Sequence, residues 1–370
     1  MNDILILMRR IADAFSLEGE ILEAKVISNG HINNTYAVTL RLDGEDRSFV
    51  FQRINVFVFK KPRLIMENIE LVTRHVEEKL ALLGRSRDEG MHFLYTPQGE
   101  NYCENEDGFW RISEYVPDSV TVNFSEDPNV LRSAGRAFGR FQTMLSDFDA
   151  TKLHETIPHF HDTRSRIEQL WQHVKEDPCK RVSEVTHELE RIRALSPTAV
   201  RFGELVDRGE LTYRVTHNDT KINNVLFDAI TGEAKTVIDL DTVMPGLVAH
   251  DFGDAIRFGA STAAEDEPDL SKVSLDMDRF RAYAEGFIGE VRSSLTRCEL
   301  ETLALGAFTM TLELVVRFLD DYLTGDQYFK TAYPGHNLVR ARCQLALAED
   351  MLEKLDAMNR IVSEIAGFAF

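Results

Sequence analysis

The chain has 370 residues, of which 61 are Asp or Glu and 42 are Lys or Arg, so its formal net charge at pH 7 is −19. Such an acidic chain is a poor candidate for binding nucleic acid or an anionic membrane surface, because both depend on Lys and Arg. With 44% hydrophobic residues it can bury a substantial core. Its four cysteines form no CxxC pair, and no secretory or membrane-spanning pattern is found, so we expect a cytoplasmic protein with reduced thiols.

The first third of the sequence predicts a small α+β unit. A helix is expected over about residues 3–15, followed by strands at Ile21–Ser28, Thr35–Leu42 and Ser48–Ile54. Asp43-Gly44 is a hairpin signal between the last two strands. Pro62 opens a long helical pattern, and two further short strands are expected near His92–Tyr95 and Phe109–Val116.

The remaining sequence is mainly helical in pattern. Helices are predicted at roughly 128–148, 162–177, 182–194, 276–290, 296–324 and 335–358. One β segment interrupts them, with strands at Thr212–Thr216, Val225–Phe227 and Lys235–Leu240. The change of pattern predicts two lobes, residues 1–117 and residues 118–370.

The β segment carries the residues whose chemistry is most specific. It contains His217-Asn218-Asp219-Thr220-Lys221-Ile222-Asn223-Asn224, and Asp239 follows after a predicted hairpin. Phosphoryl transfer to an alcohol needs a carboxylate for the hydroxyl proton, oxygen ligands for Mg²⁺ and a cation near the transferred phosphate. Asp219, Asn224, Asp239 and Lys221 supply those groups, whereas a lone His-x-Asp would be an ordinary turn.

These segments resemble the catalytic and metal loops of the aminoglycoside phosphotransferase/choline kinase group, which shares the protein-kinase fold. HNDTKINNVLF, VIDLDTVMPG, HDFGDAIRFGA and RFLDDYLTGDQYF are similar, more narrowly, to the bacterial N-acetylhexosamine 1-kinases. The resemblance covers nearly the whole chain. It implies an α+β, bilobal protein-kinase-like fold with a small antiparallel-sheet lobe, a large helical lobe and the active cleft between them.

The resemblance assigns a role to each residue of the motif. Asp219 matches the catalytic base, and His217 matches the residue that supports the catalytic loop. Asn224 and Asp239 match the Mg²⁺ ligands, and Lys221 matches a lysine that contacts the transferred phosphate. Although Asp251 begins a DFG sequence, it follows no hairpin, and in related kinases an aspartate at this position accepts hydrogen bonds from the catalytic-loop backbone.

Nucleotide-binding residues are expected in the first lobe. The segment NGHINNTY resembles the family's G-x-x-N-x-T-Y loop, which makes Gly30, Asn33, Asn34 and Thr35 candidate phosphate contacts. The third strand reads Phe51-Gln52-Arg53 where protein kinases carry a lysine. Arg53, or Gln52 in a weaker neutral role, is expected to replace it, with Glu67 or Glu70 as an ion-pair partner. Glu114, Tyr115 and Val116 form the expected hinge for adenine.

Acceptor-binding residues are expected in the second lobe. Arg317 lies in an otherwise apolar helix and therefore needs a partner. A salt bridge for Arg317 and core packing for Tyr328 are alternatives, but the resemblance implies that both residues contact sugar hydroxyls. Asp241 is either a supporting carboxylate near the metal or a sugar contact. His159 and His161 are loop histidines expected near the acceptor pocket.

The predicted reaction is transfer of a phosphoryl group from ATP, with Mg²⁺, to the anomeric hydroxyl of N-acetylglucosamine or N-acetylgalactosamine. The partner is thus a small-molecule sugar, with no nucleic acid or membrane; the oligomeric state is not predicted. Two alternatives stay open. One is a kinase for another small alcohol, such as a different sugar, an aminoglycoside, choline or homoserine. The other is a nucleotide-binding pseudokinase, for which the absent third-strand lysine is the only support.

Overall fold

A five-stranded antiparallel sheet forms the first part of the molecule in the computed structural model, which describes residues 2–27 and 32–368. The strands are β1 (Glu20–Ile27), β2 (Asn34–Leu42), β3 (Glu45–Arg53), β4 (Cys103–Asn105) and β5 (Gly108–Glu114), in the order β1-β2-β3-β5-β4. Asp43 and Gly44 have positive φ angles of 52° and 88°. Such a two-residue turn has the twist that a hairpin needs, so the hairpin signal in the sequence is confirmed.

Helix α1 (Asn2–Ala14) covers one face of this sheet. Its apolar side packs against alternate residues of β2, β3 and β5, namely Val38, Leu40, Phe49, Phe51, Trp110 and Ile112. Because successive side chains of a strand point to opposite faces, Gln52 and Arg111 lie on the other face. Helix α2 (Pro62–Leu82) also packs on that side, in a core shared with residues of the second lobe such as Leu240 and Val243.

The expected strand near His92–Tyr95 is reduced to one isolated antiparallel bridge beside β5, between Phe93 and Ser113. The Leu94 N–H donates to the Ile112 carbonyl and the Glu114 N–H to the His92 carbonyl, while the edge strand of the sheet is β4. The sequence of β4, Cys-Glu-Asn, is too short and polar to show the alternation by which strands are detected. It forms because a tight turn, in which Gly108 has a φ of 118°, folds it back on β5.

The rest of the chain is mainly helical. Its helices are α3 (Pro128–Met144), α4 (Thr163–Glu176), α5 (Thr186–Ala199), α6 (Arg201–Asp207), α7 (Val248–Gly259), α8 (Met277–Val291), α9 (Arg297–Glu301), α10 (Leu303–Thr324), α11 (His336–Glu353) and α12 (Leu355–Ala366). The helices expected at 296–324 and 335–358 each divide in two, at Thr302 and Lys354. Within the described residues, none of the helices combines the length and the hydropathy required to span a bilayer.

Two small sheets hold the polar loop of the second lobe. Strand β7 (Arg214–Thr216) pairs with β10 (Met244–Gly246), and β6 (Ser119–Thr121), β8 (Val225–Asp228) and β9 (Ala234–Val237) form a three-stranded sheet. Residues 217–224 connect β7 to β8, and β8 and β9 form the expected hairpin. The hairpin returns the chain to the loop, because the Ile238 N–H donates to the Asn224 carbonyl at 2.9 Å.

Helix α7 crosses the long apolar helix α10 at a glycine contact. A Cβ on Gly253 would lie 2.3 Å from the Gly306 carbonyl oxygen, and one on Gly306 would lie 2.0 Å from the Ala249 carbonyl oxygen. Only glycine permits backbones to approach this closely. Helix α7 was not expected from the sequence because Gly253 and Gly259 are weak helix formers. Its close packing on α10 fixes Asp251, which lies in the first turn of α7.

Candidate active site

Asp251 of α7 holds the loop of residues 217–224 through backbone hydrogen bonds. Its two carboxylate oxygens accept the backbone N–H groups of His217 and Asn218, each at 2.8 Å. The Thr220 hydroxyl donates to the Asp251 carbonyl at 2.5 Å. Asn218 adopts a left-handed conformation, with φ of 63°, which is uncommon for a residue other than glycine. The buried carboxylate thus holds a tight loop in one conformation, which agrees with the structural role expected for Asp251.

His217 supports the same loop through its ring. Its Nε2 is 2.9 Å from the Ile238 carbonyl, to which it donates, and its Nδ1 accepts the Asp219 N–H at 3.3 Å. These partners fit a neutral imidazole with the proton on Nε2. The edges of Phe138 and Phe141 pack around the ring, with centroid distances of 5.5 and 5.9 Å. His217 therefore acts on the backbone of the loop and is completely buried.

Asp219, Lys221 and Asn224 are brought into direct contact. Lys221 Nζ lies 2.9 Å from one Asp219 carboxylate oxygen, and Asn224 Nδ2 donates to the other at 3.1 Å. Asn224 Nδ2 also donates to the Asp219 carbonyl at 2.9 Å, so the amide oxygen of Asn224 is the group left for a ligand. The charge of Asp219 raises the pKa of Lys221 above its usual range, which keeps the ammonium charged at neutral pH.

Asp239 lies at the end of the β8–β9 hairpin, in a concentration of negative charge. Burial, together with the charges of Asp241 and Asp219, raises the pKa of Asp239 from 3.8 to about 7, although Arg111 and Lys221 oppose the shift. A divalent cation fits such a set, because it would neutralise carboxylates that repel one another. In the part of the chain described, no three His, Cys, Asp or Glu side chains form a metal-binding group. An ion here would therefore need the Asn224 amide and ligand oxygens.

A buried arginine completes the cleft from the sheet side. Arg111 of β5 lies opposite Gln52 of β3, and its Nε donates to the Gln52 Oε1 at 2.9 Å. The same guanidinium forms an ion pair with Asp241, in which both side chains are at most 4% exposed. Gln52 Nε2 in turn donates to the Thr35 hydroxyl at 3.1 Å, and Asn33 Nδ2 donates to Asp241 at 2.7 Å. Arg111 is thus the cation on the face of the sheet opposite α1.

Arg111 was not expected from the sequence, which favours Arg53, or Gln52 in a weaker role, at this place. In the structure Arg53 pairs with Trp110 and lies on the face that carries α1, so it does not face the cleft. Gln52 faces the cleft instead. The signal for Arg111 was the register between β3 and β5, which the sequence alone does not fix.

The two glutamates expected on α2 have other partners. Glu67 Oε2 is 2.7 Å from the Nε2 of His154, and Glu70 pairs with Arg74 within the helix at 3.3 Å. Asp241 also differs from its second interpretation as a sugar contact. Its two oxygens are taken by Arg111 and Asn33, and the residue is 3% exposed. The structure therefore makes Asp241 a link between the sheet and the loop that follows β9.

Of the remaining nucleotide candidates, Gly30 lies outside the described residues. Asn34, the exposed first residue of β2, pairs with Arg53 and therefore lies on the face that carries α1, so its expected phosphate contact does not fit the structure. At the expected hinge, the N–H of Glu114 donates to the His92 carbonyl and that of Tyr115 to the Ser48 carbonyl. Within the described ranges the N–H of Val116 has no such partner. The hinge thus offers Val116 and carbonyl oxygens to a ligand, and the Glu114 side chain pairs with Arg87.

His161, which precedes α4, connects the loop of residues 217–224 to α10, and α4 runs parallel to α10. Its Nε2 lies 3.3 Å from the Asn218 carbonyl and its Nδ1 lies 2.9 Å from Glu313 of α10. The hydroxyl of Thr163, at the start of α4, donates to the other Glu313 oxygen at 2.7 Å. Burial alone would raise the pKa of Glu313, but His161, Arg317 and Thr163 outweigh it and lower that pKa from 4.5 to about 2.

Arg317 lies one turn after Glu313 on α10, and Tyr328, which follows the end of that helix, is its neighbour. Arg317 Nη2 lies 3.4 Å from the Tyr328 hydroxyl, and its guanidinium stacks near the rings of Phe160, Tyr328 and Phe329 at 5.5 to 5.8 Å. The alternative salt bridge to Asp320 or Asp321 does not form. His159 instead pairs with Asp162 at the surface, away from this group.

The sheet contributes a buried cation, Arg111, and a helix aspartate, Asp251, holds the polar loop of residues 217–224. This arrangement is typical of the protein-kinase-like phosphotransferases. These enzymes transfer a phosphoryl group, here to an alcohol. The chain belongs to the phosphotransferase enzyme family, whose model, APH, matches residues 23–284. The expected fold class and enzyme class are thereby confirmed.

Three solved structures show the same fold at low sequence identity. An aminoglycoside phosphotransferase from Alicyclobacillus acidocaldarius has a TM-score of 0.61 and 12% identity, with 96% of each chain covered. A choline kinase from Cryptosporidium parvum has a TM-score of 0.55 and 11% identity, again with 96% of each chain covered. A spectinomycin phosphotransferase in complex with ADP and spectinomycin has a TM-score of 0.52 and 15% identity, and covers 98% of this chain and 96% of its own.

Proposed function

We propose that this phosphotransferase uses ATP and Mg²⁺ to phosphorylate the anomeric hydroxyl of an N-acetylhexosamine, giving the 1-phosphate and ADP. The observation that carries the proposal is the contact of Asp219 with both Lys221 and Asn224, on a loop fixed by Asp251. The match of the motifs around Asp219 and Arg317 to hexosamine kinases supports the sugar. The ADP of a structurally similar phosphotransferase supports the nucleotide.

In this proposal each residue has a distinct task. Asp219 accepts or orients the proton of the acceptor hydroxyl, and Lys221 stabilises charge that develops on the transferred phosphoryl group. Asn33 and Thr35, on the side of the sheet that carries Arg111 and Gln52, would contact the β- and γ-phosphates. Asn224 and Asp239 would hold Mg²⁺, which supplies charge neutralisation on the phosphate oxygens.

The first test is the variant Asp219→Asn. It keeps the hydrogen-bonding shape of the side chain but removes the base, and general-base assistance is worth about 10²–10⁴ in rate. We therefore expect kcat, measured by coupled ADP release, to fall at least ~10²-fold. Circular dichroism and the melting temperature should stay close to those of the wild type. Turnover near the wild-type value would contradict the role of Asp219.

The second test identifies the acceptor. Coupled ADP release is measured with N-acetylglucosamine, N-acetylgalactosamine, glucose, galactose, kanamycin, choline and homoserine. The proposal expects the highest kcat/KM for the two acetamido sugars and loss of activity when their anomeric hydroxyl is blocked as a methyl glycoside. Turnover of kanamycin, choline or homoserine without turnover of amino sugars would replace the proposed acceptor. No Mg²⁺-dependent ADP release with any acceptor would favour a pseudokinase.

A further inference from the structure

A cavity of about 440 Å³ opens between α4 and α10, beyond the contact of His161 with Glu313. It is lined by polar and aromatic side chains, including Arg166, Gln169, His173, Arg317, Asp320 and Tyr328. Its volume lies in the range of small-molecule sites. Arg166 and Arg317 lie one helical turn past Thr163 and Glu313, whose contact with His161 leads directly to the Asn218 carbonyl. The cavity is thus placed for the part of an acceptor remote from its reacting hydroxyl.

The carboxylates of this region are all engaged with other groups. Glu313 binds His161 and Thr163, as described above. Asp320 binds His173 Nδ1 at 2.6 Å and the Gln169 amide at 3.2 Å. Asp321 accepts the backbone N–H groups of residues 327, 328 and 329 at 2.8 to 2.9 Å and the Asn337 amide at 2.8 Å. None of the three forms a salt bridge with an arginine of the cavity.

The two arginines, by contrast, have no carboxylate partner among the described residues. Arg166 Nε is buried without any hydrogen-bond partner, and the only side-chain hydrogen bond found for Arg317 is the long one to Tyr328. Burial, followed by the positive charge of Arg317, lowers the pKa of Arg166. Glu313 attracts both guanidinium groups electrostatically, but its oxygens are hydrogen-bonded to His161 and Thr163, so neither arginine has an anion bound to its N–H donors. An anion would satisfy both, because guanidinium binds carboxylate and phosphate through paired N–H donors.

We propose that Arg166 and Arg317 form a subsite for an anionic substituent, a carboxylate or a phosphate, on the acceptor. The inference rests on the proposed function and specifies its substrate class as an N-acetylhexosamine that carries an acidic group away from the anomeric carbon. Phe160, Tyr328 and Phe329 hold Arg317 by stacking, so the charge remains available while the side chain is positioned.

The kinetic test compares N-acetylglucosamine with two acidic derivatives, one bearing a 3-O-lactyl carboxylate and one a 6-phosphate. We expect at least one derivative to have a lower KM than the neutral sugar, and the better derivative identifies the anion. Arg166→Gln should raise the KM of that derivative about 10- to 100-fold, as expected for loss of a charged hydrogen bond, with a much smaller effect on the neutral sugar. Arg317→Gln should also raise that KM, but because Arg317 is also expected to contact the sugar hydroxyls, Arg166→Gln is the variant that separates the acidic from the neutral sugar.

The matched control is Arg164→Gln, an exposed arginine of the same helix that lies beside Gly203 rather than in the cavity. It should leave the preference for the acidic derivative unchanged. A wild-type preference for the neutral sugar over both derivatives would overturn the subsite. So would an Arg166→Gln variant that raises the KM of neutral and acidic sugars equally, since that is the result of a structural role.

A binding measurement separates this inference from the proposed function. Inorganic phosphate at millimolar concentration should raise the melting temperature of the wild type and of Arg164→Gln more than that of Arg166→Gln. If no N-acetylhexosamine is phosphorylated, the proposed function fails, and the phosphate measurement still decides the subsite. Equal stabilisation of all three proteins by phosphate would overturn it.

Discussion

At the scale of single residues, burial beside the loop of residues 217–224 determines the protonation state of His250. It precedes Asp251 in α7, is 6% exposed and packs edgewise against Phe202 and His161. Its Nε2 has no hydrogen-bond partner in the described part of the chain. Burial, with a smaller contribution from His161, lowers the pKa of His250 from 6.5 to about 4. The folded protein therefore holds this imidazole neutral where an unfolded chain would protonate it.

This depressed pKa predicts a loss of stability in weak acid. Between pH 6.5 and about 4 the unfolded state binds one more proton at His250, so the free energy of unfolding falls as the pH falls, by at most about 1.4 kcal/mol per unit from this group. Replacing His250 by Leu should reduce that slope, because the titrating group is gone. This slope is measured by urea unfolding of the wild type and of the His250→Leu variant from pH 7 to pH 4. Identical slopes would show that His250 does not contribute.

At the scale of elements, the crossing of α7 and α10 fixes the base of the active site. Gly253 and Gly306 let the two backbones touch, and Asp251 lies two residues before Gly253 on the same helix. Any separation of the helices would move the carboxylate that holds the N–H groups of His217 and Asn218. The geometry of the loop of residues 217–224 thus depends on the lack of a side chain at Gly253 and Gly306.

Gly306→Ala tests this crossing. Its Cβ would lie 2.0 Å from the Ala249 carbonyl oxygen, so the backbone must shift, and we expect a loss of about 1–3 kcal/mol in the free energy of unfolding. Gly289→Ala in α8 is the matched control. No atom lies within 4 Å of its added Cβ, and alanine should stabilise that helix by about 0.5–1 kcal/mol. Equal effects of the two changes would mean that close packing at α7 is unimportant.

The sequence predicted the elements whose signals are local. The Asp43-Gly44 turn, the α2 pattern after Pro62 and the hairpin before Asp239 each depend on neighbouring residues, and the structure contains them all. The loop of residues 217–224 was predicted because its chemistry is contained in one short segment. Strand β4 and helix α7 were missed because distant packing, rather than their own sequence, makes them form.

Contacts between side chains that are distant in the sequence could not be predicted from the sequence alone. Arg111 reaches Asp241 only through the pairing of β3 with β5, and Arg53 was chosen because the register was unknown. His161 was expected near the acceptor pocket, but its contact with Glu313 joins residues 152 positions apart. Arg166 had no local signal, since an arginine in a polar helix is usually solvated.

At the scale of the whole molecule, Asp241 joins the two lobes. It follows the β8–β9 hairpin in the second lobe and binds Arg111 and Asn33 of the first. Burying both charges is costly, and the pair compensates for this only while both partners are present. This ion pair therefore helps to orient the sheet over the loop of residues 217–224, together with the core that α2 shares with the second lobe.

Replacing Arg111 alone should therefore strongly lower the free energy of unfolding. Arg111→Met leaves the Asp241 carboxylate buried without its cation, and we expect a loss of about 3–5 kcal/mol in the free energy of unfolding. Arg87→Met is the control, since the exposed Arg87–Glu114 pair should contribute about 0–1 kcal/mol. The double variant Arg111→Met/Asp241→Asn should recover part of the loss. Chemical denaturation of the four proteins measures these differences, and a cost for Arg111→Met no larger than for Arg87→Met would refute the link.

The parallel course of α4 and α10 has a consequence for the length of the acceptor. Both helices run away from the catalytic loop, and their arginines follow the Thr163–Glu313 contact by three and four residues. At 1.5 Å of rise per residue, the Cα atoms of the two arginines lie about 4.5–6 Å beyond it along the helix axes. The two helices therefore hold these cationic side chains at a fixed distance from the contact beside the loop of residues 217–224. In the proposed function, an acceptor must extend past this contact for its remote substituent to reach them.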